Sequence, residues 1–263
     1  MSRDQIKYDE VSQALSGARL GTYLRYSKND VAGAFQLHHV NAQLAASFWE
    51  PLELFEVVLR NRLADCLTQT FGSNWPVQPV FARVITKEAR SILEEGIQDA
   101  QRAKGEAVTT DDIVSSLKFA FWEKILNKKL HNLIWKSTLP SRYPLFGRDA
   151  EALRMELQTA THQIRCFRNR VAHHEPIINE DLWRQYKRIH RILRYSFPGL
   201  ASWLNSCQTV QQGLDQLKSV LAGFVDVARP FSAQVHRILS GAPHAAKRQD
   251  TGAVLARERP FMC

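Results

Sequence analysis

Leu153-Arg-Met-Glu-Leu157-Gln-Thr-Ala160-Thr-His-Gln-Ile164-Arg-Cys-Phe167-Arg-Asn-Arg-Val171 sets down an apolar side chain at steps of four, three, four, three and four. That rhythm is the period of one face of an α-helix, so the segment reads as a helix with a single buried stripe. The same rhythm recurs on both sides of it. Upstream, Leu52, Phe55, Leu59, Leu63 and Cys66 follow Phe48 at steps of three and four, with Leu54, Val57 and Val58 widening the apolar arc. Pro51 marks a first turn or a kink, and Gly72 and Pro76 are stop signals. Charged residues alternate over 86–102 until Lys104-Gly105-Glu106, and Thr110 or Asp111 is the expected cap of a helix carrying Val114, Leu117, Phe121 and Ile125. Pro140, Pro144 and Gly147 predict a loop from Leu139 to Arg148. Downstream, a helix expected from Asn179 carries Leu182, Tyr186, Ile189 and Leu193, and 214–239 reads as helical. No convincing period-2 segment appears, so the expected class is all-α.

Composition agrees with that class. Glycine supplies 12 of 263 residues, below the usual ~7%, which favours long helices over sharp turns. Hydrophobic residues make up 44% and charged residues 23%, which excludes collagen-like and wholly disordered chains. No apolar run approaches the ~18 residues of a membrane span. The polar start Met1-Ser-Arg-Asp lacks the apolar core of a signal peptide, so a cytoplasmic protein with no membrane partner is expected. Cys66, Cys166, Cys207 and Cys263 lie far apart without a CxxC pair and read as reduced thiols. One helical domain is expected over 1–240, followed by a disordered basic tail at 241–263.

The formal charge is +9. Between Arg165 and Arg194 eight Lys or Arg face three Asp or Glu, a surplus of five in one short stretch. Arg184, Lys187, Arg188, Arg191 and Arg194 form either the solvated face of an amphipathic helix or a phosphate-contacting surface. Arg165, Asn169 and His173 recur every fourth residue, on a face turned from the Ile164/Val171 stripe, with Arg168 to one side. Three explanations compete for this cluster. His173, His174 and Glu175 could hold a metal, but adjacent helical residues diverge and no zinc-type spacing is present. His and Arg side chains could simply favour a helix C-terminus that Pro176 stops. Or the cluster could cut RNA: a histidine takes the ribose 2′-OH proton, and an arginine holds the phosphate by two parallel hydrogen bonds. Such cleavage needs no metal or other cofactor.

Arg168, Asn169-Arg-Val-Ala and His173 resemble the signature of the HEPN superfamily, an arginine followed after four to six residues by a histidine. More of the chain resembles its Abi-like, or abortive-infection, branch. The segments Arg19-Leu-Gly-Thr-Tyr23-Leu, Leu52-Glu-Leu-Phe-Glu56-Val-Val-Leu-Arg60-Asn61, Asp112 to Trp122 and Phe167 to Ile177 come in that family's order. The resemblance departs at Leu37-His-His-Val-Asn41, where the family has an aromatic-rich segment, and nothing is carried over there. It implies a HEPN-like helical bundle with additional N-terminal and C-terminal helices, and a homodimer whose motifs meet in a basic cleft. It also implies metal-independent endoribonuclease activity on tRNA or other cellular RNA, controlled by an antitoxin or a phage trigger. Arg168, Asn169 and His173 would be catalytic. Arg165, Arg170, His174, Glu56, Arg60 and Asn61 would bind RNA or support them, although Glu56 and Arg60 also fit a helix ion pair. Glu175 stands where some HEPN toxins carry a tyrosine that an antitoxin modifies, so that mode of control is not expected. The alternative is a non-catalytic helical module that binds RNA or protein through the same basic face.

Overall fold

A computed structural model describes residues 8–224, in which every regular element is helical and no strand occurs. In chain order the α-helices are α1 (Tyr8–Leu15), α2 (Gly17–Tyr26), α3 (Val31–Ser47), α4 (Trp49–Phe71), α5 (Pro79–Val84), α6 (Lys87–Lys104) and α7 (Thr110–Ser116). They continue with α8 (Phe119–Ile125), α9 (Lys136–Arg142), α10 (Ala150–Ala172), α11 (Leu182–Ser196), α12 (Pro198–Cys207) and α13 (Val210–Ala222). No helix among the described residues is long and apolar enough to cross a membrane. The tail at 241–263, and the expected helix beyond residue 224, lie outside the described residues.

These helices form two compact units, each discontinuous in sequence. One comprises 47–168 and 183–209; the other joins residues up to Ala46, Asn169–Leu182 and the segment from Val210 onward. The boundary falls within α10, after Arg168.

In the larger unit, α4 buries Leu52, Phe55, Leu59, Leu63 and Cys66, the stripe its spacing predicts. At ~1.5–3 kcal/mol for each large apolar side chain, that stripe is a main source of the unit's stability. Pro51 sits in the first turn, where a missing N–H costs nothing. Gly72 ends the helix at φ 89, with its N–H on the Thr68 carbonyl. Trp75, Phe81, Phe121 and Trp122 then pack as an almost fully buried aromatic cluster, with the Trp75 and Phe81 rings 5.0 Å apart and Phe121 and Trp122 5.1 Å apart. Leu153, Leu157, Ala160, Ile164 and Phe167 of α10 are buried, and Phe167 meets Phe48 edge-on at 4.8 Å.

In the smaller unit, α2 and α3 bury Leu20, Tyr23, Leu37, Val40 and Leu44. A Cβ on Gly213 would stand 2.7 Å from Leu44 Cδ1, so the bare glycine lets α13 lie close against α3. Leu214, Leu217 and Leu221 complete that layer.

Several local expectations need correction. The helix expected through Val114, Leu117, Phe121 and Ile125 is two helices, broken at the extended Leu117 and Lys118. Leu117 packs on Gly96 of α6, and the break turns Phe121 and Trp122 into the aromatic cluster. The cap of α7 is Thr109, in a reciprocal capping box with Asp112, in place of Thr110 or Asp111. The loop after Leu139 begins only at Tyr143, because α9 runs through Pro140, with Leu139 and Tyr143 both buried. Finally, α11 starts at Leu182 rather than near Asn179, whose side chain instead accepts a 2.6 Å hydrogen bond from the Tyr26 hydroxyl.

Candidate functional site

The motif sits at the last turn of α10. The His173 N–H still reaches the Asn169 carbonyl at 2.9 Å, the ordinary helical bond. Then the Glu175 N–H returns to the Arg170 carbonyl at 2.9 Å and the His174 N–H to the Val171 carbonyl at 3.1 Å. This paired return is the Schellman ending of a helix, which requires a left-handed residue. His174 supplies it at φ 56, at a cost of ~1–2 kcal/mol that a glycine would avoid. Arg19 Nη1 donates to the His174 carbonyl at 3.0 Å. Buried Asn41 accepts the Ile177 N–H at 2.8 Å, and Ile177 and Ile178 are buried behind it. His174 and Pro176 are thus accounted for by helix termination, while the His173 side chain is exposed at the helix end.

Arg168 brings two distant segments together. Its Nε lies 3.8 Å from Glu56 Oε2 on α4. Burial pushes the Glu56 carboxyl above its ordinary range, opposed by the nearby guanidinium of Arg168 and, more weakly, by that of Arg60. Glu56 therefore pairs across to α10, beyond the local i, i+4 pairing with Arg60 that its spacing allows. Arg60 Nε is buried without a hydrogen-bond partner among the described residues, and Asn61 is exposed on the same helix.

Two of the expected RNA-binding arginines are otherwise engaged. Arg165, expected to face outward with Asn169 and His173, turns instead to Glu123 of α8 and keeps only 15% of its side chain exposed. The other Glu123 oxygen lies 3.0 Å from His162 Nδ1. Arg170 donates to Glu180 at 2.7 Å and lies 3.7 Å from Glu175, bracing the turn after the helix. Arg191 is likewise paired, to Glu156. Three of those carboxylates, Glu56, Glu123 and Glu156, lie outside the segment in which the surplus was counted.

A second group of basic side chains lies in the larger unit, between α10 and α11. A groove of about 740 Å³ opens there, lined by Arg184, Lys187, Arg188 and Arg191 against one acid, Glu156. Trp183, 41% exposed, stacks on buried Tyr186 with ring centroids 5.4 Å apart and planes 17° apart. The Tyr186 hydroxyl is fixed by Asn205 of α12 at 3.1 Å. Lys187 Nζ stands 5.9 Å from the indole centroid, within cation–π range.

No cluster of three or more His, Cys, Asp or Glu able to hold a metal ion occurs among the described residues. Glu123 and Asn41 carry no motif signal in the sequence, and Arg19, which heads one of the family-like segments, gives no sign there of its bond to the end of α10. Asn41 lies in the segment set aside as atypical, and its one legible signal was an amide among the apolar positions Leu37, Val40 and Leu44. No protein-family model, curated protein or solved structure matches the chain.

Proposed function

We propose that this chain is a metal-independent endoribonuclease of the Abi-like HEPN type, with Arg168 and His173 as its catalytic residues and Asn169 in support. The observation that carries this reading is the approach of Arg168 to Glu56, which joins the two family-like segments. His173 is exposed farther along the same continuous helix.

In the proposed reaction His173 accepts the proton of the ribose 2′-OH. The 2′-oxygen bonds to phosphorus while the bond from phosphorus to the 5′-oxygen breaks. The imidazolium returns a proton to the departing oxygen, which leaves a 2′,3′-cyclic phosphate and a 5′-hydroxyl. Arg168 neutralises the charge that builds on the phosphoryl oxygens. Glu56 suits the role of a counter-ion that positions this guanidinium and can be exchanged for phosphate, because burial disfavours its ionised form.

The homodimer belongs to the same reading. On α10, Met155, His162 and Asn169 repeat every seventh residue, and His173 continues their row. Met155, His162 and His173 are exposed, leaving a face open to a second copy. Cellular RNA, tRNA included, is the proposed substrate, under an antitoxin or phage trigger in a cytoplasmic setting.

Purified protein incubated with total RNA and excess EDTA should cut it, and Arg168→Ala and His173→Ala should each lower the rate by at least ~100-fold. Ends mapped by ligation should be cyclic phosphates. Equal cutting by wild type and both variants would remove these residues from the chemistry.

A second reading, a binding module without turnover, is favoured by one observation: the groove between α10 and α11 offers cations and a stacking surface, and none of Arg168, Asn169 and His173 lines it. Salt-sensitive RNA binding with no product would select it.

A further inference from the structure

We infer that the groove between α10 and α11 is a binding site for single-stranded RNA, which takes one nucleobase on the Trp183 indole and the adjoining phosphates on the α11 cations. This deepens the proposed function and rests on RNA being the partner. The groove has four basic side chains against one acid, the charge balance of a polyanion site. Its volume, about 740 Å³, is ample for a nucleotide.

The aromatic pair decides what kind of polyanion fits. A tryptophan exposed to 41% is unusual on a helix whose other large apolar side chains, Tyr186, Ile189 and Leu193, are buried. It is also held flat against a tyrosine that is itself pinned by Asn205. A rigid, solvent-facing π surface beside cations suits a flat base followed by a phosphate, and every base offers a π face. Lys187 lies close enough to the ring for its flexible stem to reach the phosphate of a nucleotide stacked there. Duplex RNA hides its bases, so the surface favours unpaired strands. An acidic peptide satisfies the cations but leaves the indole without a flat partner.

Glu156, Thr159 and Gln163 on α10 are turned about 100° around the helix from His162. A strand held in the groove would therefore pass along the flank of the helix that carries the motif.

The test uses an oligodeoxynucleotide of roughly 12 nucleotides, within the range of single-strand site sizes. Without a 2′-OH it cannot be cut by the proposed chemistry, so binding to the full chain is read independently of cleavage. Companion probes are an abasic strand of equal length, the corresponding duplex and a polyglutamate peptide. The base-bearing strand should bind best. Trp183→Ala should weaken it by roughly 5- to 150-fold, Trp183→Phe should retain most of the affinity, and the abasic strand should be indifferent to both. Lys187→Ala should lower the slope of log affinity against log salt by about 0.7. Equal binding of abasic and base-bearing strands, preference for the duplex, matching affinity of polyglutamate, or an unchanged Trp183→Ala affinity would each overturn the proposal. Base-dependent binding by a chain that never cuts RNA would sink the nuclease reading and leave the groove standing. Cutting that survives with no base-dependent binding would do the reverse.

Discussion

Glu56 carries a conflict inside one carboxyl group: burial opposes its charge while Arg168 and Arg60 favour it, and burial prevails. The folded state thus holds the Glu56 proton more tightly than the unfolded chain does. Its contribution to stability is then greatest below the ordinary carboxylate range, ~4.3 for glutamate, and declines as pH rises through the folded value. Glu56→Gln removes the ionisation and keeps the shape. Urea midpoints compared from pH 4 to pH 7 should move in favour of the variant as pH rises, and a difference independent of pH would show that Glu56 is not held above its range. The same residue shows where spacing stops being informative. A glutamate four residues before an arginine satisfies the local helix pattern, yet the partner that matters comes from α10, more than a hundred residues later.

The end of α10 is fixed by neighbours as much as by its own sequence. Asn41 supplies the buried acceptor for the Ile177 N–H, and Arg19 takes the carbonyl of the left-handed His174. Asn41→Ala leaves a buried N–H without its acceptor, which should cost ~1–3 kcal/mol. The loss should appear in the urea midpoint and as faster hydrogen exchange at the Ile177 amide, with cleavage weakened through displacement of His173. Unchanged exchange at Ile177 would mean that the turn is held by other bonds. Among the elements, α4 and α10 were legible because one unbroken apolar stripe in each maps directly onto burial. The break between α7 and α8 was not, since Leu117 keeps the helical rhythm while its backbone is extended. At the break the Leu117 side chain seats against Gly96 of α6, and periodicity within one segment carries no word of that.

At the scale of the molecule, the surplus of nine positive charges is less concentrated than its sequence position suggests. Arg165, Arg168, Arg170 and Arg191 each meet a carboxylate, and Arg184, Lys187 and Arg188 line the groove together with Arg191. A sequence shows which residues are charged and which helix face bears them; which acid stands opposite is decided by packing between distant segments. The candidate site was legible to the same extent. The motif shows its residue types, but no spacing within it tells that Arg165 meets Glu123 or that Arg170 meets Glu180. The open row on α10 sets a further expectation: sedimentation of the 30.1 kDa chain should give a species of about 60 kDa, twice that mass. Substituting Met155 by lysine should shift it toward the monomer, and a monomer in the wild type at micromolar concentration would remove the dimer from the proposed function.

The discontinuity of the smaller unit also bears on when the protein comes to exist. Asn169 and His173 belong to a unit that needs both the N-terminal helices and the segment from Val210, where Gly213 gives α13 its close seat on Leu44. At ~5–20 residues per second a ribosome takes roughly ten to thirty seconds to travel from the end of the first part to the start of the last. Throughout that interval α3 waits on the nascent chain without its closing helix. A chain arrested before Val210 carries the motif but lacks part of the unit that seats it, so translation itself separates making the motif from assembling it.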